Sequence, residues 1–459
     1  MSPTPTGLFH DVPIEDLFFS TTDAKGVIDE ANEVFARNSR YERSELLGAP
    51  HNIIRHPDMP GAVFKATWDL LEAGNPVCAY VKNLARDGST YWAFATIVPI
   101  AGRFLSVRAT PCDRAARDLF ESLYETVRAA EIAARDGGAS AREAAEVGSG
   151  VLTKALAENG FGSYTDLQLD LVPVEVTARE QVCPPLPALP DGSKTARKIL
   201  AQVTEARGAL GAFAADIAES LTLTATLARD LRRLVAALTG LDGAVTNAAN
   251  ALDPTTASGP AAPVRPAASA TSPSSGADVV ALVPVIHSRL ETLGEAVGRA
   301  RDDLAAVVHA RKQLALGSAI ARMQAEAIGR YVVAVEAGAE DPRVSERALS
   351  SLTTALLAIL DADLIADREA TSAYVDRVAR VATDVSGARE TTLAWRSLLE
   401  EGDSAHDTLL ALDVALGAAA GQMGRVAEAV GAVAATNAAL DRDALAAVLG
   451  KIVELAAKI

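Results

Sequence analysis

The chain has 459 residues, with 59 acidic against 43 basic side chains and a net charge of -16. An acidic surface repels phosphate backbones and anionic lipid, so nucleic acid is excluded as the expected partner. The length predicts two to four domains. The three cysteines (Cys78, Cys112, Cys183) are scattered and make no CxxC pair, which excludes a disulfide framework or a zinc site.

No apolar run approaches the ~20 residues of a bilayer span, and no basic segment followed by an apolar core opens the chain. The expected location is cytoplasmic. Aromatic residues make up 4% of the chain, and most stand no later than Tyr124; Ala, Leu, Val and charged residues dominate the rest. That shift predicts a sheet-containing N-terminal domain followed by helices.

In chain order, residues 1–12 read as a disordered Pro/Thr leader. Residues 16–23 and 26–29 read as a hairpin turned by Asp23-Ala24-Lys25-Gly26. Short helices follow at 31–38 and 43–47, and a longer one at 62–73 starts after Pro60 and stops at Gly74. Residues 77–83 and 90–98 alternate as strands, and 104–110 closes the sheet after a turn at Ala101-Gly102. Val77, Ala79, Val81 and Asn83 share one face, as do Tyr91, Ala93, Ala95 and Ile97, with Trp92, Phe94 and Val98 opposite. Both faces carry apolar residues, so the sheet is expected to be covered on both sides.

Residues 48–83, GAPHNIIRHPDMPGAVFKATWDLLEAGNPVCAYVKN, carry a resemblance. Together with Ser20-Thr21-Thr22-Asp23, Ala31-Asn32, Arg86-Asp87-Gly88 and Tyr91-Trp92 they resemble the PAS domain of bacterial aerotaxis receptors, most of all in His51-Asn52-Ile53-Ile54-Arg55-His56-Pro57-Asp58-Met59-Pro60. The resemblance covers the first quarter of the chain. It implies an α+β PAS domain over 13–111, a five-stranded antiparallel sheet with short helices, and a pocket holding FAD. It also implies cofactor roles for Arg55, His56 and Asp58. Arg55 suits phosphate oxygens, Asn83 a ring edge, and Asn32 either the pocket mouth or a helix cap. Asp58 reads equally as a cap for the helix after Pro60, and His56 as a structural histidine. Two positions depart from the family: Val77 stands where a flavin-holding Trp is usual, and Arg40 where Gly is common. A cysteinyl-flavin photoreceptor is not expected, because Cys78 sits in a strand and Cys112 beyond the last one. Haem is not expected either, because the 62–73 helix has no histidine.

Beyond the PAS-like segment, residues 112–182 read as connecting helices, the last of them ending at Pro173. Residues 183–193 form a Pro-rich linker. Residues 194–252 form one long helix with a seam of three- and four-residue spacings through Val203, Ala206, Leu210, Phe213, Ile217, Ser220 and Thr224. Such a seam is expected either between chains, as a homodimeric coiled coil, or within a helical bundle. Residues 253–277 are a Pro/Ala/Ser linker expected to be disordered, and 278–459 a helical bundle. The chemoreceptor signalling tip is not found, and no nucleotide-binding, hydrolase, zinc-protease or cyclase motif is present. The expected function is therefore a non-enzymatic sensor of redox, oxygen or energy type with a protein partner. The alternative is a ligand-free PAS scaffold.

Overall fold

The computed structural model describes residues 3–100, 102–252, 276–340, 350–354 and 368–384, with separate positions from 386 to 454. Of the linker expected at 253–277, residues 253–275 lie outside the described residues while 276 and 277 already belong to a helix; most of the helices expected beyond 340 also lie outside. The chain divides into two units. One comprises Met1–Ile217, Lys312–Leu364 and Asp441–Ile459, the other Ala218–Arg311 and Ile365–Leu440.

The first unit is built on five strands: β1 (Leu17–Thr22), β2 (Ile28–Ala31), β3 (Val77–Leu84), β4 (Thr90–Ile100) and β5 (Arg103–Ala109). All pairs are antiparallel and the order is β2-β1-β5-β4-β3. Between β2 and β3 stand α1 (Glu33–Ser39), α2 (Arg43–Leu46), a 3-10 turn (His51–Ile54) and α3 (Gly61–Glu72). The β1–β2 turn forms because Asp23 Oδ1 accepts the N–H groups of Lys25 and Val27 (2.8 and 2.9 Å). Gly26 takes φ +77° there, and a Cβ on it would stand 3.2 Å from the Trp68 ring. Backbone freedom and close approach thus both require glycine at that turn.

The register places Ala79, Val81, Asn83, Ala95, Ile97, Phe104, Ser106 and Arg108 on one sheet face, where α3 lies. The other face is covered as well. Tyr80 meets Phe94 and Phe120 (5.3 and 4.9 Å between centroids), Phe120 meets Tyr124 and Tyr164, and Phe19 meets Tyr331 edge-on at 5.2 Å. Those partners belong to α4 (Arg114–Asp136), α6 (Tyr164–Val182) and α8 (Gly276–Glu336), with α5 (Ala141–Glu158) between the first two.

An exposed β3 edge would invite pairing with another chain, but here helices take it over. Gln168 Oε1 accepts the Cys78 N–H (2.5 Å), Tyr164 donates to the Cys78 carbonyl (3.2 Å) and Tyr124 to the Tyr80 carbonyl (2.9 Å). Glu175 accepts the Tyr80 hydroxyl and the N–H groups of Cys112 and Asp113 (2.6–2.7 Å), which fixes the start of α4. This anchoring explains a departure from expectation: α6 does not end at Pro173 but runs through it to Val182. Gln168 and Glu175 are held on either side of the proline, and Leu169, Val172 and Val176 are buried. Tertiary packing therefore offsets the roughly 3 kcal/mol that an interior proline costs.

The segment read as a disordered leader is also ordered from Thr6. Thr6 N–H donates to the Gly88 carbonyl (2.9 Å), Thr90 N–H to the Leu8 carbonyl (2.7 Å) and His10 N–H to the Thr90 carbonyl (3.0 Å). The free backbone groups around the β3–β4 turn supply the partners that a leader's composition cannot reveal.

α7 spans Lys194–Leu252. In the first unit its seam residues Val203, Ala206, Leu210, Phe213 and Ile217 are buried within a single chain, and Ser318 of α8 donates to the Leu210 carbonyl at 3.5 Å. Arg179 of α6 makes a two-pronged, fully buried pair with Glu326 of α8 (3.1 and 3.0 Å). Arg330 adds a third contact to Glu326 at 2.6 Å. These pairs tie α8 to the helices behind the sheet. Among the described residues no helix is long and apolar enough to cross a membrane.

Candidate functional site

The sheet, the 3-10 turn and α3 enclose a cavity of about 270 Å³. Its walls are apolar over most of their area, with Ile54, Met59, Val63, Leu71, Val81 and Ile97, and aromatic at Phe64, Trp68 and Phe104. Trp68 stands edge-on to Phe104 at 5.5 Å.

The polar groups in this cavity are few and incompletely satisfied. Arg108, on β5, is buried at 3% exposure. It donates to Ser20 Oγ (3.2 Å) and His51 Nε2 (2.5 Å) and lies over the Phe35 and Phe18 rings (5.3 and 5.9 Å). No carboxylate pairs with it among the described residues, and burial pulls its pKa down to about 10. His51 accepts from Arg108, and burial together with the Arg108 and Arg55 charges holds its pKa well below the usual value, so it is neutral. Asn83 Nδ2 and Ser106 Oγ are buried without a hydrogen-bond partner among the described residues. Buried polar atoms in this state cost about 1–3 kcal/mol each, so these two, with a buried guanidinium that has N–H groups to spare in the same cavity, mark a place for a polar-edged ligand.

The residues singled out from the sequence fall into two groups. Arg55 and Asn83 line the cavity. They are joined by a bridge between their backbones, and the Arg55 guanidinium lies 3.4 Å from the Phe64 ring centroid. The other four do not line it. Asn32 is buried as the cap of α1: its Oδ1 accepts the N–H groups of Phe35 and Phe19 (3.2 and 3.1 Å) and its Nδ2 donates to the Leu17 carbonyl. His56 is buried, with Nδ1 accepting the Asp58 N–H at 3.2 Å. Asp58 is exposed and pairs with Lys82 at 2.9 Å. It does not cap α3, whose Gly61 and Ala62 N–H groups go instead to the Glu131 carboxylate of α4 (2.9 and 2.8 Å). A Cβ on Gly148 would stand 2.6 Å from that carboxylate, so α5 reaches this junction only as glycine. Val77 shares the cavity face of β3 but lies buried outside the lining.

Arg108, Ser106, His51 and Trp68 were not singled out from the sequence. The signal for the first two was present: Phe104, Ser106 and Arg108 alternate on one face of the last strand. None of Cys78, Cys112 and Cys183 lines the cavity.

The fold of this segment is that of a PAS domain, and the PAS fold family matches residues 28–110. Within that class the chain is similar to the aerotaxis receptor of Escherichia coli (strain K12), at 35% identity over 142 residues, covering 29% of this chain and 28% of that protein. It is similar also to the nitrogen fixation regulatory protein of Klebsiella pneumoniae, at 30% over 81 residues, 18% of this chain and 16% of that one. Among solved structures it resembles the PAS domain of an HTR-like protein from Haloarcula marismortui, with 21% identity, 20% of this chain and 80% of that chain covered, and a TM-score of 0.19. The chain matches well under a third of the length of these curated relatives.

Proposed function

We propose that this protein is a sensor whose PAS cavity holds FAD and whose helices pass the cofactor's state to a protein partner. The observation that carries the reading is the pair of buried donors Asn83 Nδ2 and Ser106 Oγ, unpartnered among the described residues, in one aromatic-walled cavity with a buried Arg108 that no carboxylate pairs. A flat ring ligand with acceptors at its rim would satisfy donors of this set and remove their desolvation cost. The resemblance of residues 48–83 to aerotaxis receptors favours flavin among such ligands. Phe64, Trp68 and Phe104 wall the ring's site, which supplies aromatic surface although Val77 replaces the family's Trp. Bound flavin supplies a redox centre whose charge and hydrogen-bonding edge change with oxidation state.

The chain's own residues supply the readout. Asn83 sits on β3, whose outer edge is held by Tyr124, Tyr164 and Gln168. α3 forms a cavity wall, and its first N–H groups rest on Glu131 of α4. A ligand that favours one setting of β3 and α3 therefore biases the helices behind them.

The test is FAD uptake by flavin-free full-length chain, with Arg108→Met and Ser106→Ala beside the wild type and circular dichroism to check folding. The expected result is uptake near one equivalent by the wild type, weakened in both variants. A wild type that binds no flavin, while dimerising regardless, overturns the reading and leaves a ligand-free PAS scaffold.

A further inference from the structure

A surface groove of about 530 Å³ adjoins the cavity and shares Arg55 and Met59 with it. Two more guanidinium groups line it, those of Arg128 and Arg135 on α4. Three arginines at one groove are unusual company in a chain of net charge -16. Their donors are mostly unspent. Arg128 gives one contact to Glu131 (3.2 Å), and Arg135 gives one to the Ala139 carbonyl (2.7 Å). A guanidinium has five N–H donors.

The acidic groups lining the groove are Glu131 and Asp136, and Asp58, paired to Lys82, stands near enough for the Arg128 charge to help lower its pKa. Glu131 turns both oxygens to the Gly61 and Ala62 N–H groups, so the α3 N-terminus is already filled and offers no anion site. His56, the remaining titratable group, is held neutral by burial, with Nδ1 already accepting the Asp58 N–H.

We propose that this groove takes the diphosphate of the FAD whose ring occupies the cavity, and that Arg128 and Arg135 are phosphate-binding side chains. The inference rests on the flavin reading. A planar guanidinium fork suits phosphate oxygens better than any other side chain, and Arg55 stands where cavity and groove meet. Both new residues lie beyond the PAS match at 28–110. The dinucleotide half of the cofactor therefore touches the helix that leaves the sensor domain, and the site discriminates FAD from smaller flavins through α4.

The experiment titrates riboflavin, FMN and FAD into flavin-free full-length chain by fluorescence quenching. The forms compared are the wild type, Arg135→Gln, the double variant Arg128→Gln/Arg135→Gln, and Arg128→Lys. The expected result is FAD binding about tenfold or more tighter than riboflavin, falling to the riboflavin level in the double variant while riboflavin affinity stays unchanged. Arg128→Lys keeps the charge without the fork and so keeps only part of the preference, and FAD affinity weakens with salt while riboflavin affinity does not. Because Arg128 also contacts Glu131, Arg135→Gln stands in if the double variant loses riboflavin binding. An FAD-to-riboflavin ratio that is the same in variants and wild type overturns the proposal and leaves the flavin reading intact. Failure of every flavin to bind overturns both.

Discussion

Glu340 joins α8's end to the PAS domain and makes stability depend on pH in an unusual direction. Its carboxylate is buried at 7% exposure, and both oxygens accept the Glu33 N–H at the start of α1 (3.0 Å each). Burial raises its pKa from 4.5 to about 7; the Glu33 N–H contact opposes the rise and the Glu33 charge adds to it. The sign follows from proton binding. Below about pH 4.5 the group is protonated in both folded and unfolded chains and carries no penalty. Between the two pKa values the unfolded chain has lost the proton while the folded chain keeps it, so stability falls as pH rises. At about 1.4 kcal/mol per unit the full loss is about 3 kcal/mol, complete above about pH 7. Glu340→Gln removes the titration and keeps an acceptor for the Glu33 N–H. Its stability advantage over the wild type should grow by about 2 kcal/mol between about pH 5 and pH 8. The assay is urea unfolding of both forms followed by tryptophan fluorescence, with Trp68 and Trp92 reporting on the sheet. Taking the difference between the two forms cancels every other titrating group. A difference that stays flat with pH refutes the burial of Glu340 against α1.

The buried Arg179–Glu326 pair behaves oppositely. The Arg179 charge overrides burial and holds Glu326 down at about 2, so the stability it gives is complete above about pH 4.5 and is lost as pH falls toward 2. Arg179→Met should cost about 3 kcal/mol near neutral pH in urea unfolding, because it leaves a buried carboxylate with one cation, Arg330, and the Cys183 thiol. Asn83→Leu removes an unsatisfied buried amide, so the flavin-free protein should gain about 1–2 kcal/mol in the same assay while losing FAD retention. Arg40, the only non-glycine residue at positive φ among the described residues (φ 58°), caps α1 where the family commonly has Gly. Arg40→Gly should raise thermal stability by under about 1 kcal/mol, the relief of left-handed backbone less a small exposed ion pair to Asp87.

The β-strands were legible because their patterning is local. Period-two alternation located β3 and β4 and placed Asn83 on the face that lines the cavity, and the turn at Ala101-Gly102 located β5. The end of α6 was not legible: Pro173 signals a stop, and only the remote anchors of Gln168 and Glu175 on the sheet edge carry the helix past it. The site divides in the same way. Arg108 sits on a strand face that alternation reveals, but its lack of a carboxylate partner among the described residues depends on what the fold brings near it. His56 has the chemistry of a ligand residue, yet the turn directs its Nδ1 onto the Asp58 N–H, and no spacing rule reports that direction. The helices behind the sheet contribute Glu131, Tyr124, Tyr164 and Glu175 through contacts 44–95 residues apart in sequence. Those contacts became visible only in three dimensions.

The central claim, a flavin in the PAS cavity, is tested most directly by the absorption spectrum of the full-length chain purified without added cofactor, followed by denaturation and identification of what is released. The account predicts oxidised-flavin bands near one equivalent, bleached by reductant and restored by air, with FAD as the released species. A colourless protein that also takes up no added FAD contradicts it.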